Sequence, residues 1–539
     1  MMERSMECHW IPSAELPRTT LLHSTFLNDF PKVSEFYGHP PNLDGILRAA
    51  AEVRLEESQR RSVVAVLRAQ NQAFGGDQAT QRNLDRLEAG AIAVVTGQQV
   101  GLFGGPAYTV YKALTAVRVA EELTARGTDA VPVFWLATED HDLAEVDHCF
   151  FGVRGGVERL VLDASDGQGR RVGEIRLGES IVGVSARARE IVNGAPENRV
   201  TRWIAESYRP EETLGSAFAK LMTRLLAGTG MIFLDPVSPE LHRLSMVTMR
   251  RALAEHQPLA EELLARSEAL EKAGFHAQVK VADRHTLLFR IVDGHRVAIR
   301  TKDGAFVSGR MQQSREAALK ALEEHPEQFS ASALLRPVVQ DTLLPTAAYV
   351  AGPSEVAYYA QVSVVYRRLL GRAPAVFPRA GFTLVNAQVG NLLKKYNLDI
   401  QDVIAGRHRF RAKMEAQVLP KTLMRRFSAG EKTLQRVFAG LREPLAALDQ
   451  TLVGALDNAA EKVLYQFNSL RGKAGRAEGF RTGVLETHER EISSLLLPNK
   501  DLQERSLSLL PFLAGEGELL DHLARNIKIG SGEHGVVYL

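Results

Sequence analysis

With 539 residues, the chain is too long for one ordinary hydrophobic core, so two or three structural units are expected. Apolar residues make up 45% and charged residues 24%, and 66 basic against 64 acidic side chains leave a formal charge of +2, which excludes a disordered chain and argues against nucleic acid as the main partner. Cys8 and Cys149 are the only cysteines, so there is no disulfide framework or thiolate-rich zinc site, and no metal centre is predicted.

The start, Met1-Met2-Glu3-Arg4, lacks the apolar core of a signal peptide, and no stretch is long enough to span a bilayer. A cytoplasmic protein without a membrane partner is the expectation. Residues 1–88 read as helical with loops: 46–70 carries helical apolar spacing, and 36–41 reads as a loop before it. Residues 91–97 and 131–138 are nearly unbroken apolar runs, the pattern of parallel strands covered on both faces. The helix between them spans about 107–125, with Val110, Leu114 and Val117 on its sheet-facing side.

Further along, 160–163 and 172–177 around Asp166-Gly167 are expected to pair as a hairpin. A clearer hairpin joins 287–291 to 295–300, because Asp293-Gly294 supplies the positive φ that a tight turn needs. Residues 231–236 form a short strand ending in an acid. A later strand at 343–351 leads through Gly352-Pro353-Ser354-Glu355 into a helix to about 370, and 375–385 supplies a final strand. From 386 onward the chain is helical. Leu434, Phe438, Leu441, Leu445, Leu448 and Leu452 form a coiled-coil seam, Pro444 must begin or kink a helix, and a return helix is expected after 471–479. These elements divide the chain into an N-terminal helical part of the core (1–88) and an α/β core (89–385) with hairpin insertions at about 151–180 and 285–310. A helical coiled-coil region (386–497) and a C-terminal segment returning to the core (498–539) follow.

Polar residues cluster where a parallel sheet binds ligands, beyond the carboxyl ends of its strands. The first strand runs into Gly97-Gln98-Gln99-Val100-Gly101-Leu102-Phe103-Gly104-Gly105-Pro106, whose spacing is neither the dinucleotide fingerprint nor a P-loop. Its glycines could bring backbone N–H groups to an anion, or could serve only a tight turn. Tyr108 and Lys112, one helical turn apart, share a face; Lys112 is either a charge for phosphate or carboxylate or a surface lysine. The second strand runs into Glu139-Asp140-His141-Asp142, where carboxylates and an imidazole could orient an amine, hold a magnesium–nucleotide or carry protons. Acids at a helix start are the plainer reading. Gln340, Tyr349, Glu355 and Tyr358 surround the later strand and turn, and Asn499, Lys500 and Arg505 form a polar knot between helices.

Together these segments resemble the bacillithiol-pathway cysteine-adding enzyme family, BshC. The matching runs are Val95-Thr96-Gly97-Gln98-Gln99 with Gly104-Gly105-Pro106 and Tyr108-Thr109, and Val131-Pro132-Val133-Phe134-Trp135 with Glu139-Asp140-His141-Asp142. Arg336-Pro337-Val338, Gln340-Asp341, Leu344-Pro345-Thr346, Gly352-Pro353-Ser354-Glu355 and Leu502-Gln503-Glu504-Arg505 with Phe512-Leu513 continue the match. The resemblance implies a Rossmann-like parallel-sheet core similar to class I aminoacyl-tRNA synthetases, with inserted connecting segments and a C-terminal coiled coil that makes a homodimer. It further implies joining of L-cysteine to the amine of glucosaminyl malate, with ATP as co-substrate, magnesium at most accompanying the nucleotide, and AMP released. The His-x-Gly-His and Lys-Met-Ser-Lys-Ser elements of class I synthetases are absent, as are the cysteine zinc ligands of the related mycothiol ligase.

On this reading Asp140, His141, Asp142 and Lys112 carry the chemistry. Gly97, Gln98, Gln99, Gly104, Gly105, Tyr108, Glu139, Gln340, Tyr349, Glu355 and Tyr358 hold the substrates, and Asn499, Lys500 and Arg505 touch nucleotide. Two other readings stand beside it: a nucleotide-sugar or glycosyl transferase, and a non-catalytic coiled-coil assembly protein that senses a nucleotide.

Overall fold

Five parallel strands form the central sheet of the computed structural model: β1 (Ile92–Gln98), β2 (Ala130–Leu136), β3 (Ile232–Leu234), β4 (Thr346–Ala351) and β5 (Ala375–Pro378). Their order across the sheet is β5-β4-β1-β2-β3. Every residue of β2 and β4 is buried, so both faces are covered and the apolar runs are accounted for. The chain builds outward from β1 through β2 to β3, then returns to lay β4 on the other side of β1. The gap beyond the carboxyl ends of β1 and β4 is therefore the topological switch point, where sheets of this kind open a crevice. The structure describes residues 6–17, 19–192, 198–282 and 284–539, so Met1-Met2-Glu3-Arg4, read above for a signal peptide, lies outside the described residues.

Helix α1 (Tyr108–Ala125) links β1 to β2, with Val110, Leu114 and Val117 buried. Gly97 in β1 lies against β2 so closely that a Cβ would stand 2.9 Å from the Trp135 carbonyl oxygen, which is why the strand can carry only glycine there. Helix α2 (Pro353–Leu369) leaves β4 through Gly352. An antiparallel five-stranded sheet is inserted before β4. It contains the hairpin of His285–Val292 and His295–Lys302, turning at Asp293 (φ 51°) and Gly294 (φ 79°), with Phe329–Ala331 on one edge.

Several expectations are corrected. The helical spacing over 46–70 belongs to two helices, Leu43–Glu52 and Glu57–Phe74, and Asn42 caps the first through the Gly45 amide. The first hairpin pairs His148–Val153 with Gly156–Val161 about Gly155 (φ 72°), while Asp166-Gly167 and 172–174 lie in short 3-10 turns. Gly155 has the left-handed conformation a tight turn demands, and Gly167 does not. The run 375–385 is two strands, β5 and Phe382–Val385, which belong to different sheets.

By internal contacts the chain divides into two units. The first comprises residues up to Phe151, Glu158–Thr383 and Glu504–Val537, and holds the parallel sheet. The second comprises Gly152–Val157, Leu384–Gln503 and Tyr538–Leu539, and is dominated by two long helices, α3 (Lys421–Leu448) and α4 (Thr451–Thr482). Pro444 lies inside α3, and the return begins at Thr451, well before 471–479. Asp449 forms that turn, accepting from the amide and hydroxyl of Thr451 at 2.8 Å each. Phe427 packs on Phe467, Asn468 donates to Glu431, and Arg442 pairs with Asp457, so α3 and α4 run antiparallel. Among the described residues no helix is long and apolar enough to cross a membrane.

Candidate functional site at the switch point

Lys112 sits at the centre of the switch point, one turn into α1 and only 2% exposed. Its ammonium donates to the Gly97 carbonyl and to Gln98 Oε1, both at 2.9 Å, and pairs with Glu355 Oε2. Glu355 in turn accepts from the Gly352 amide at 2.7 Å and from the Tyr349 hydroxyl at 2.7 Å. Burial lowers the Lys112 pKa, and the carboxylate of Glu355 only partly offsets it. All three protons of the ammonium are used, so Lys112 ties β1, α1 and α2 together and has none left for a ligand. Behind it Arg336 donates to Tyr358 Oη (3.0 Å) and Gln340 Oε1 (3.0 Å), and Gln340 donates to Asp341 inside the protein. Gln340 and Tyr349 are buried in this support layer and do not line open space.

One flank of the crevice is cationic. Gln98 Nε2 donates to Tyr108 Oη at 3.1 Å, and the Arg379 guanidinium lies 5.3 Å from the Tyr108 ring. Burial, against the pull of Arg379, pushes the Tyr108 phenol up to about 12. Arg379 is itself satisfied by a bidentate pair to buried Glu504, at 2.6 and 3.0 Å. His23 Nδ1 is buried without a hydrogen-bond partner, and burial with Arg379 and Arg505 nearby pushes its imidazole down to about 4. Arg505 has no hydrogen-bond or ion-pair partner among the described residues, although its charge is felt at both His23 and Tyr108. Thr109 Oγ1 is another buried orphan, 3.6 Å from where a Cβ on Gly105 would stand. A guanidinium without a protein partner among the described residues, near the unpaired imidazole nitrogen of His23, fits the oxygen-rich anionic end of a ligand, phosphate or carboxylate.

The other flank is acidic, and one hydrogen bond joins it to the first: Gln99 Nε2 donates to Asp140 Oδ2 at 3.0 Å and also reaches Glu145. Asp140 Oδ1 accepts from the His141 amide at 2.7 Å and lies 3.7 Å from Arg296. Burial would raise the Asp140 pKa, but the bond from Gln99, the charge of Arg296 and the bond from the His141 amide oppose it and hold the carboxyl below the usual range. The segment is pinned from behind, with the Val172 amide on the Asp140 carbonyl (2.7 Å) and the Gly173 amide on the Thr138 carbonyl (2.9 Å). Asp142 is exposed. Glu139 takes a different partner: its carboxylate accepts from buried His242 Nε2 at 2.8 Å.

The glycine-rich turn does not present the amides expected of it. Leu102 N donates to Val146 O, Gly104 N to Gly101 O and Tyr208 Oη, Gly105 N to Leu102 O, and Ala107 N to Leu507 O. Phe103 (φ 51°) packs on Tyr208 and Phe151, and Gly104 and Gly105 also have positive φ. The amides of Gly101, Gly104 and Gly105 are all spent on protein acceptors, so these glycines serve geometry, the plainer of the two readings. Of the polar knot, Asn499 and Lys500 are exposed residues of the second unit at positive φ, whereas Arg505 belongs to the first and stands beside Tyr108 in its electrostatics.

Sequence reasoning missed His23, His242, Arg296 and Arg379. Each reaches the site from a distant element, and none stands in a local motif. Only Gly381 left a trace: between two apolar strands it breaks the run, and a Cβ there would stand 2.7 Å from His534 Nδ1 and 2.9 Å from Glu504 Oε2.

Residues 6–380 match the family model described as the N-terminal Rossmann-like domain of bacillithiol biosynthesis BshC, and residues 382–539 match its C-terminal coiled-coil domain. Relatives named "Putative cysteine ligase BshC" include one from Koribacter versatilis, 41% identical over 515 residues (95% of this chain, 96% of that protein). Another, from Solibacter usitatus, is 36% identical over 536 residues (99% and 100%), and one from Salinibacter ruber is 32% identical over 538 residues (98% of each). A Campylobacter jejuni crystal structure described as a "putative arginyl t-RNA synthetase" is matched over 88% of this chain and 100% of that one, at 11% identity and a TM-score of 0.23, too low to bear on the fold. The two family models between them cover almost the whole chain, and the chain belongs to the BshC family of bacillithiol biosynthesis, a Rossmann-like domain followed by a coiled-coil domain.

Proposed function

We propose that the chain is a ligase that joins L-cysteine to the amine of glucosaminyl malate at the expense of ATP, in the cytoplasm and as a homodimer. The observation that carries this reading is the Gln99–Asp140 bond, which unites a cationic and an acidic flank in one crevice of a BshC chain. In this reaction the cysteine carboxylate exchanges pyrophosphate for itself on the α-phosphorus of ATP. The amine of the acceptor then attacks the acyl carbon, the C–O bond to AMP breaks, an amide forms, and the surplus ammonium proton leaves to solvent.

The flank where the Arg505 guanidinium stands near the neutral imidazole of His23 and the phenol of Tyr108 suits the phosphates or the malate carboxylates. Asp140, held ionised, suits an ammonium or a sugar hydroxyl, and exposed Asp142 can assist it. Gln98 and Gln99 supply amides between the two flanks. Lys112, Glu355, Tyr349 and Tyr358 hold the strand ends in register, and Gln340 supports them.

The test is direct. Purified protein with glucosaminyl malate, cysteine and ATP should yield the cysteinyl amide and AMP in equal amounts by mass spectrometry. Asp140→Ala should lower turnover with little loss of stability. Binding of a uridine nucleotide with no use of cysteine would favour a transferase instead, and nucleotide binding without turnover would favour a sensor.

A further inference from the structure

Arg296, from the inserted hairpin, reaches the acidic flank and settles what His141 can do. Its side chain is 8% exposed. Nε donates to Ser330 Oγ at 2.9 Å, Nη2 donates to the Ala331 carbonyl at 2.6 Å, and the guanidinium carbon stands 3.9 Å from the centre of the Phe289 ring. The strand carrying it is anchored in turn, since the Arg296 amide donates to the Gly169 carbonyl at 2.9 Å. So placed, Nη1 lies 3.1 Å from His141 Nδ1.

A guanidinium can only donate, and it keeps its protons throughout the working pH range. The lone pair of Nδ1 is therefore the acceptor, and a neutral His141 must carry its proton on Nε2. The same Nδ1 stands 3.4 Å from Asp140 Oδ1, but it cannot donate to Asp140 and accept from Arg296 at once. The guanidinium is nearer and is fixed by three other contacts, so its hydrogen bond prevails. Glu139, Asp140 and Arg171 are the charged groups that face Arg296 and share this pocket. The imidazole is 39% exposed, and its Nε2 has no hydrogen-bond partner among the described residues.

We infer that Arg296 is a positioning residue that fixes His141 as the Nε2–H tautomer, so that the imidazole offers a hydrogen bond to an acyl or carboxylate oxygen of the substrate and does not act as the general base. This departs from the expectation that His141 carries protons. The substrate half of the inference rests on the proposed ligase reaction; the tautomer does not.

The experiment has two arms. In protein labelled with 15N-histidine, the His141 resonances, assigned by their absence in His141→Gln, should show a protonated Nε2 and an unprotonated Nδ1. Arg296→Met should abolish that preference and Arg296→Lys should keep part of it. A wild-type Nδ1–H signal, or an unchanged pattern in Arg296→Met, overturns the inference whatever reaction the protein performs.

In the ligation assay, His141→Ala should lose about 10²- to 10³-fold in kcat, as when one donor to a developing oxyanion is removed. His141→Gln, which can donate but cannot titrate, should recover at least about tenfold of that loss. Equal inactivity of the two variants would overturn the donor role. If wild-type protein forms no amide at all, the ligase reading fails while the nuclear-resonance arm still decides the tautomer.

Discussion

Lys112 and Glu355 illustrate how a conspicuous charged residue can be structural. With three partners around one buried ammonium, the pair is compensated locally, and removing one member strands the other. Lys112→Met should cost about 3–5 kcal/mol in urea unfolding, and adding Glu355→Gln should restore part of it. His242 and Glu139 give a pH-dependent counterpart. Burial would lower the His242 pKa, but the hydrogen bond and charge of Glu139 outweigh it and leave the value above that of ordinary histidine. A folded-state pKa above the unfolded one makes the pair stabilising below about pH 6.5, and the contribution is lost as pH rises through the folded value. Glu139→Gln should therefore destabilise the protein more at about pH 5.5 than at about pH 9, as read from urea midpoints. The two thiols are quiet for the same reason of burial: Cys149 is pushed up to about 12 and Cys8 is also raised, so neither is a thiolate at neutral pH. Cys149→Ser should keep most of its turnover, and iodoacetamide should label Cys149 only after unfolding.

Individual elements were legible where one physical signal dominated. The apolar runs of β1 and β2 mark buried parallel strands, and the polar residues that follow them had to fall at the strand ends. Asp293-Gly294 marks its hairpin because two successive positive φ values admit few residues. Other signals were ambiguous. Asp166-Gly167 looks like a hairpin turn, yet it closes a 3-10 turn while Gly155 turns the strands. Gly101, Gly104 and Gly105 suggest an anion cradle, but whether the turn's amides are already taken depends on Val146, Tyr208 and Leu507, which sequence proximity does not reveal. Gly173 is the reverse case, an unremarkable glycine on which the site depends. A Cβ there would stand 2.4 Å from Thr138 Cβ, and the neighbouring amide holds the Asp140 carbonyl. Gly173→Ala should cost about 1–3 kcal/mol through overpacking. It should also raise KM, because the Asp140 backbone would move; unchanged kinetics would detach this turn from the site.

At the scale of the molecule, the second unit carries more apolar surface than its own hairpin covers. Of the seam read from the sequence, Leu434 lines a groove with Val463, Phe467 and Leu470 of α4, Leu452 belongs to α4 itself, and Leu441 (44% exposed) and Leu448 (79% exposed) are left uncovered, with Val437 beside them along α3. Three aliphatic side chains on one stripe of a long helix are costly to leave in water, at about 25 cal/mol per Å² of apolar area. Seam positions that the intramolecular hairpin leaves uncovered keep the heptad spacing that a second copy would need. If the proposed homodimer forms here, Val437→Lys, Leu441→Lys and Leu448→Lys together should convert it to a monomer in light scattering without altering the unfolding of the Rossmann-like unit. The crevice residues all belong to the first unit, so turnover should survive the change. A dimer that persists in the triple variant would put the interface elsewhere. Loss of turnover on conversion to monomer would mean that the second copy supports the crevice.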